Sequence, residues 1–172
     1  MGKEIERKFK VVSNLGSTDL KIEKVSKIRQ TYIYNGFGEE IRLREDIDLL
    51  NLFSPVYTLT VKKDWGKETV REEFEVEISK DAFDSLSKGK IFLCKMRTSF
   101  IYEDRVYFLD IYEDNSLLKD PEARGIVEAE FELEEDSINF KKPSWLSCEI
   151  TGETEYKNYT LWRRTVERRG SF

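Results

Sequence analysis

The sequence contains no histidine, and this absence removes the commonest general base and the commonest zinc ligand together. Any catalysis must therefore depend on carboxylates, lysine, tyrosine or a metal ion that prefers oxygen ligands. Cysteine is also scarce, with only Cys94 and Cys148. Two cysteines so far apart form neither a disulfide framework nor a zinc site, so we expect two free thiols.

Long apolar runs are missing as well. No stretch approaches the ~18 apolar residues that a membrane-spanning helix needs, and the N-terminal segment lacks the apolar core of a signal peptide. We therefore expect a cytoplasmic protein with no membrane partner. Only three prolines occur, and no linker, repeat or low-complexity stretch divides the chain, which predicts one domain over residues 1–172.

Charged residues, by contrast, are abundant. They make up 37% of the chain, against roughly 25% in typical globular proteins. The 34 acidic residues outnumber the 29 basic residues, and the net charge of −5 argues against general nucleic-acid binding. Hydrophobic residues still reach 39%, which is enough for the core of one domain.

Seven short segments alternate charged residues with apolar ones. They are 4–9, 41–44, 59–62, 71–78, 94–97, 109–111 and 129–133. Residues two apart in a strand point the same way, so Glu4, Glu6 and Lys8 share one face of a predicted strand. Other strands carry pairs of cations or pairs of acids in the same manner, which suggests that the charges meet inside a folded sheet.

The pattern predicts eight strands and three helices. The strands are expected at 3–12, 29–35, 39–46, 56–63, 69–79, 91–102, 105–113 and 125–134, and the helices at 19–27, 80–88 and 154–168. Ser79 is expected to cap the second helix and Gly89 to end it. So many strands with short connections predict a mainly β, α+β protein, in which an eight-stranded antiparallel β-barrel carries helices packed outside.

The alternation alone leaves two arrangements open, because either face of the sheet could point inward. Solvated charges are the ordinary case, but here like charges are grouped along each strand. Charges turned inward would cost several kcal/mol each if unpaired, so such an interior needs a counter-charged ligand, metal ions and water. Its cations suit a linear polyanion, and its acids suit magnesium or manganese.

Glu4-Ile5-Glu6-Arg7-Lys8-Phe9 resembles the Glu-x-Glu-x-Lys signature of the CYTH superfamily, the triphosphate tunnel metalloenzymes. The resemblance continues in order along nearly the whole chain and is strongest to the short bacterial members. It includes Gln30-x-Tyr32, Arg42-x-Arg44, Thr60-x-Lys62, Arg71-x-Glu73-x-Glu75, Lys95-x-Arg97, Leu109-Asp110, Glu130-x-Glu132, Trp145-Leu146 and Tyr156-x-Asn158.

This resemblance implies a tunnel with a charged interior that hydrolyses a linear triphosphate with Mg²⁺ or Mn²⁺. The implied phosphate-binding residues are Lys8, Arg42, Arg44, Lys62, Lys95 and Arg97. The implied metal ligands are Glu4, Glu6, Glu130 and Glu132, with Asp110 nearby, and the supporting residues are Arg71, Glu73 and Glu75. Glu4, Glu6 and Lys8 would form the catalytic set, with Lys8 orienting or deprotonating the attacking water.

Three functions remain open from the sequence. The first is hydrolysis of inorganic tripolyphosphate or of a small organic triphosphate, by a monomer or homodimer. The second is class IV adenylate cyclase activity, which the same charged residues would serve. The third is a polyphosphate- or nucleotide-binding module without turnover, against which both Glu-x-Glu pairs argue, since many acids would weaken a simple anion binder.

Overall fold

A computed structural model describes residues 5–12, 20–51, 54–64, 71–131 and 134–170. The strands are β1 (Ile5–Val11), β2 (Lys21–Gly36), β3 (Glu39–Asp48), β4 (Val56–Asp64), β5 (Arg71–Glu77), β6 (Leu93–Tyr102), β7 (Arg105–Tyr112) and β8 (Gly125–Phe131). The α-helices are α1 (Lys80–Ser87), α2 (Glu134–Ile138) and α3 (Asn158–Arg169). Single 3-10 turns form at Asn115–Leu118 and Thr154–Tyr156.

All eight strands belong to one antiparallel sheet, in the order β1-β8-β7-β6-β2-β3-β4-β5. The predicted mainly β class and strand number are confirmed. Within the described residues the edge strands β1 and β5 do not pair with each other, so the hydrogen-bonded closure of the predicted barrel is not found. Burial, and then neighbouring carboxylates that include Glu73 of β5, raise the pKa of Glu130 on β8. Glu73 and Glu130, on strands near opposite ends of the sheet, are therefore close enough for their charges to interact, and we call the space on the inner side of the curved sheet the cavity.

Two tight hairpins hold neighbouring strands in register. Phe37 and Gly38 connect β2 to β3 with φ of 51° and 76°, and Glu103 and Asp104 connect β6 to β7 with φ of 47° and 59°. Two consecutive residues with positive φ match the right-handed twist of the strands that they join. Both turns therefore fix which inner-face residues lie opposite each other.

The predicted helix at 19–27 is wrong, because from Lys21 onward this segment is the first half of the 16-residue strand β2. Ile22, Val25 and Ile28 recur every three residues, a spacing that is compatible with a helix. Pairing with β6 outweighs that local pattern, since residues 21–30 align with residues 93–101 of β6. The predicted strand at 125–134 is also too long, because α2 begins at Glu134.

The outer face of the sheet is apolar and is covered in two places. Phe83 of α1 is fully buried against Leu43 and Tyr57 of the sheet. On the other half, Phe9 of β1 and Val127 of β8 are fully buried in a cluster that Leu146 also joins. These contacts place α1 outside the sheet, as predicted.

Helix α3 lies across one end of the cavity. Its Leu161 is buried in one cluster with Leu93 of β6 and Tyr112 of β7, which occupy the same strand faces as the inner charges. Tyr159 and Trp162 each approach the ring of Tyr32 with centroids 5.2 Å apart. The sequence predicted this helix, but its predicted position outside the barrel is wrong, because its side chains pack against the inner strand faces.

The two edges of the sheet are treated differently. Along β1, the segment 147–151 runs beside the strand: Lys10 N donates to Cys148 O at 2.9 Å, and Ile150 N donates to Lys8 O at 2.8 Å. In the described part of the chain β5 pairs only with β4, so its other edge is open.

A search of the described residues finds no helix that is both long and apolar enough to cross a membrane. Cys94 and Cys148 are both free thiols, as predicted.

The N-cap of α1 gives a test of the local structure. The Ser79 hydroxyl accepts a hydrogen bond from Ala82 N at 3.1 Å, so Ser79→Ala should lower the free energy of unfolding by about 1 kcal/mol. Ser85→Ala is the matched control, because Ser85 is exposed in the middle of the same helix and its loss should cost nothing. Urea denaturation measures both, and equal effects would contradict the capping role.

Candidate active site

The charged side chains lie on the inner face of the sheet. Phe9 and Val127 alternate with Lys8 and Glu128 along their strands and are fully buried on the outer face. The inner position of the charges, one of the two arrangements that the sequence left open, is therefore the one that the structure adopts.

A buried ion-pair network lies on β6 and β7. Asp110 Oδ2 accepts from Lys95 Nζ at 2.6 Å and from Arg97 Nη2 at 2.8 Å, while Asp110 Oδ1 accepts from Arg97 Nε at 2.7 Å. The side chains of Lys95 and Asp110 are 0% and 6% exposed. Gly125 helps to position Asp110, because a Cβ there would lie only 2.6 Å from the Asp110 carbonyl oxygen.

Asp110 only partly offsets the positive charge around it. Burial, followed by the like charges of Arg97 and Arg44, lowers the pKa of Lys95, and Asp110 opposes this effect. Burial, followed by Arg42 and Arg97, lowers the pKa of Arg44 to about 10. Arg42, Arg44, Lys95 and Arg97 thus form a mutually repelling group, which we call the cation cluster.

Neighbouring side chains on β4 and β5 hold other predicted residues in place. Arg42 Nη2 donates to Thr60 Oγ1 at 3.1 Å, and Thr60 Oγ1 donates to Glu75 Oε2 at 2.8 Å. Lys62 Nζ lies 2.8 Å from Glu73 Oε2. The supporting carboxylates therefore lie beside phosphate-binding candidates, Glu73 against Lys62 and Glu75 at 3.7 Å from Arg42.

Acidic side chains gather around Lys8 on β1 and β8, and we call Glu6, Glu128 and Glu130 the carboxylate group. Lys8 Nζ lies 2.8 Å from Glu6 Oε1 and 3.3 Å from Glu128 Oε2, and Glu6 lies directly opposite Glu130 in the strand pairing. Burial followed by the charge of Glu128 raises the pKa of both Glu6 and Glu130. Burial alone would lower the pKa of Lys8, but Glu128 and Glu6 raise it, so the ammonium group stays charged.

Three predicted residues are not described here. Glu4 and Glu132 lie outside the described residues, and so does the side chain of Arg71, whose backbone begins β5. Among the described residues no three or more aspartates or glutamates are already arranged to hold a metal ion. Asp110 uses both carboxylate oxygens on cations, so its role as a metal ligand stays a prediction.

Two further residues of this site, Glu128 and Asn158, received no role from the sequence patterns, although Asn158 stands in the Tyr156-x-Asn158 motif. Glu128 shares the inner face with Glu130, two residues away, and the same two-residue period could have identified it. Asn158 of α3 accepts at Oδ1 from Lys95 Nζ at 3.3 Å and from Tyr112 Oη at 3.0 Å. No pattern within a strand connects Asn158 to Lys95, because the contact depends on where α3 docks.

Comparison with known proteins gives one close sequence relative. An inorganic triphosphatase of Acetivibrio thermocellus is 32% identical over 169 residues, covering 94% of this chain and 94% of that protein. No protein-family model matches the chain.

Solved structures support the fold. The crystal structure of the inorganic triphosphatase NE1496 has a TM-score of 0.59 and 27% identity, covering 94% of this chain and 95% of that one. The PH1819 protein from Pyrococcus horikoshii OT3 has a TM-score of 0.54 at 18% identity, covering 94% of this chain and 89% of that one. The latter likeness supports the fold alone.

Asp110→Asn tests the buried ion-pair network. The variant leaves Lys95 and Arg97 charged without a carboxylate, so the free energy of unfolding should fall by about 3–5 kcal/mol at pH 7. The cations hold the pKa of Asp110 well below its usual value despite burial. The contribution of Asp110 to stability is therefore complete above about pH 4, the pKa of an aspartate in the unfolded chain, and it decreases as the pH falls below that value. Urea denaturation should show that the difference in free energy of unfolding between wild type and Asp110→Asn is smaller near pH 3 than at pH 7.

Asp104→Asn is the control for this experiment. Asp104 is exposed in the β6–β7 turn, where asparagine tolerates the positive φ well, so its effect should stay within about 0.5 kcal/mol. A similar loss in both variants, or a difference that does not depend on pH, would contradict the network's role.

Proposed function

The chain belongs to the CYTH superfamily of triphosphate tunnel metalloenzymes, and we propose that it hydrolyses a linear triphosphate within its charged cavity. Support comes from the relative named an inorganic triphosphatase and, above all, from one structural observation. Four cations are packed together on the inner face of the sheet, with a separate carboxylate group nearby. We propose inorganic tripolyphosphate as the substrate.

The cation cluster binds the phosphate oxygens. Each charge-assisted hydrogen bond from arginine or lysine to phosphate contributes roughly 1.5–3 kcal/mol. Two further lysines join the cluster in this role, so the proposed phosphate-binding residues are Lys8, Arg42, Arg44, Lys62, Lys95 and Arg97. The ion pairs of Asp110 and Glu73 keep Lys95, Arg97 and Lys62 oriented before the substrate arrives, which lowers the ordering cost of binding.

The carboxylate group fits a divalent cation by its chemistry. Glu6 and Glu130 are adjacent carboxylates whose pKa values are raised by burial and then by the charge of Glu128, and carboxylate oxygens are the ligands that magnesium and manganese prefer. We propose that Glu4, Glu6, Glu130 and Glu132 hold Mg²⁺ or Mn²⁺, with Glu128 beside them. When bound, the ion supplies charge neutralisation and a more acidic water.

Lys8 is a cation within the carboxylate group. Its ammonium contacts Glu6 and Glu128, so it can donate a hydrogen bond to a phosphate oxygen or to the attacking water without leaving the carboxylates. We propose that Lys8, together with Glu4 and Glu6, orients the phosphate oxygen and the attacking water. The remaining chemistry is largely positioning and charge stabilisation, as phosphoryl transfer generally allows.

Product analysis tests the proposed reaction. The protein is incubated with tripolyphosphate, ATP or thiamine triphosphate, each with Mg²⁺ or Mn²⁺, and we expect orthophosphate to be released fastest from tripolyphosphate. Formation of cyclic AMP and pyrophosphate from ATP would overturn the proposal in favour of a cyclase. Binding of all three without turnover would overturn the catalytic claim.

Adjacent lysines provide a matched pair of variants. Lys62 faces inward and contacts Glu73, whereas Lys63 faces outward and contacts Glu39, with its side chain 49% exposed. Lys62→Ala should lower kcat/KM for tripolyphosphate by about 10- to 100-fold, the loss expected for one charge-assisted phosphate contact. Lys63→Ala should leave it unchanged. Equal kcat/KM values in the two variants would refute the inward role of Lys62.

Metal addition can be followed without turnover. Because a divalent ion relieves repulsion between the carboxylates, Mg²⁺ or Mn²⁺ should raise the thermal unfolding midpoint of the wild-type protein after chelator treatment. Glu130→Gln should reduce this shift, and Glu103→Gln, at the exposed β6–β7 turn, should not. Hydrolysis should stop with chelator and return with the ion. A wild-type thermal midpoint that neither Mg²⁺ nor Mn²⁺ changes would contradict the metal assignment.

A further inference from the structure

Two rows of inner-face side chains cross from β2 to β4, and they differ in how their polar atoms are satisfied. In the first row, Tyr32 lies opposite Arg42, which lies opposite Thr60. Arg42 donates to Thr60, and Thr60 donates to Glu75 of β5. This row is connected by its own hydrogen bonds, and Arg42 Nε is its one buried polar atom without a partner among the described residues.

The second row lies two residues along each strand and consists of Gln30, Arg44 and Thr58. Three of its polar atoms, Gln30 Oε1, Arg44 Nε and Thr58 Oγ1, are buried with no hydrogen-bond partner among the described residues. A buried polar group without a partner costs roughly 1–3 kcal/mol, and nearly all such groups in native proteins are paired. Three in one cross-strand row therefore point to a ligand.

Gln30 is the most informative member, because it is 0% exposed and has no charge. Its Nε2 donates to Tyr32 Oη at 3.1 Å. If the amide turns over, Oε1 accepts from the Tyr32 hydroxyl and Nε2 becomes a donor into the cavity. Gln30 can thus serve a ligand rich in acceptor atoms without losing its contact with Tyr32.

The surroundings of this row require the ligand to be an anion. Burial and then Arg42 and Arg97 lower the pKa of Arg44. Lys95 lies opposite Ile28, the residue that precedes Gln30 on the same strand face. A neutral amide and a hydroxyl beside these charges add hydrogen-bond donors without adding to the repulsion among the cations.

We propose that Gln30, Arg44 and Thr58 form a subsite for one phosphoryl group of the substrate, in which Gln30 and Thr58 are ligands that carry no charge. This subsite rests on the proposed function for the identity of its ligand. Its three donors reach a phosphoryl group from three neighbouring strands. It extends the phosphate site beyond the lysines and arginines that charge patterning identifies.

Variants of Gln30 and Thr58 test the subsite by equilibrium binding. Tripolyphosphate is titrated calorimetrically with chelator present, so that metal-dependent turnover does not contribute to the heat. We expect Gln30→Leu and Thr58→Val each to weaken binding about tenfold, the loss of one hydrogen bond to a charged group. Gln30→Glu keeps the shape and the contact with Tyr32, but should weaken binding at least about a hundredfold because it adds a negative charge.

Thr31→Val is the matched control. Thr31 is buried on the opposite face of β2 and donates to Ile91 O at 2.9 Å, so this variant should lower the thermal midpoint and leave the affinity for tripolyphosphate unchanged. Thermal unfolding without ligand checks that each variant folds. If the Gln30 variants do not fold, the affinity of Thr58→Val for tripolyphosphate tests the subsite, because Thr58 is only half-buried.

The outcomes separate this subsite from the proposed function. Wild-type affinity in folded Gln30→Leu and Thr58→Val proteins would overturn the subsite, even if the wild-type enzyme hydrolyses tripolyphosphate. A wild-type protein that binds tripolyphosphate without hydrolysing it would refute the function, and weaker binding by the variants would still support the subsite. A wild-type protein that does not bind tripolyphosphate would refute both.

Discussion

Repulsion among like charges inside the sheet is the constraint on which the rest of the structure depends. Arg42 and Lys95 are almost completely buried, and the lowered pKa values of Lys95 and Arg44 record both their desolvation and their mutual repulsion. Asp110 is the carboxylate in direct contact with two members of the cation cluster. The aromatic and aliphatic packing of the outer face must therefore supply the stability that this inner face lacks. An anion that binds there converts repulsion into attraction, so ligand affinity and fold stability are linked.

The distribution of charge across the cavity follows from the same constraint. Arg42 and Lys95 are buried and Arg97 is 16% exposed, whereas the Glu6 side chain is 37% exposed and Glu130 is exposed. Lys8 is a cation within the acidic region, where it contacts Glu6 and Glu128. Asp110, Glu73 and Glu75 offset only part of the cation charge, through contacts of 2.6 to 3.9 Å with Lys95, Arg97 and Arg42. Each group then retains capacity for a ligand of opposite charge, a polyanion on one side and a metal cation on the other.

Much of the strand pattern could be predicted from the sequence, because a strand repeats every two residues and the charges follow that period. The inward direction of the charged face followed from the grouping of like charges, although the alternation alone was compatible with either face. The segment from Lys21 was misassigned as a helix because Ile22, Val25 and Ile28 have a spacing that suits one, while its pairing with β6 is a long-range contact. The place of α3 and the contact between Asn158 and Lys95 depend on docking, which no local pattern encodes. Gln30 was quoted within a motif but given no role, since only burial and an unpaired atom reveal one.

The two edges of the sheet avoid association with other chains by different means. The segment 147–151 protects β1 with main-chain hydrogen bonds, so that edge has few groups left to offer a neighbour. In the described residues β5 has no such cover, but four of its seven residues are glutamates, and charge on an edge strand discourages pairing with another sheet. This protection depends on ionisation, whereas the protection of β1 does not. Replacement of these glutamates by neutral residues would remove that protection, and growth of intermolecular β-sheet would then begin at β5.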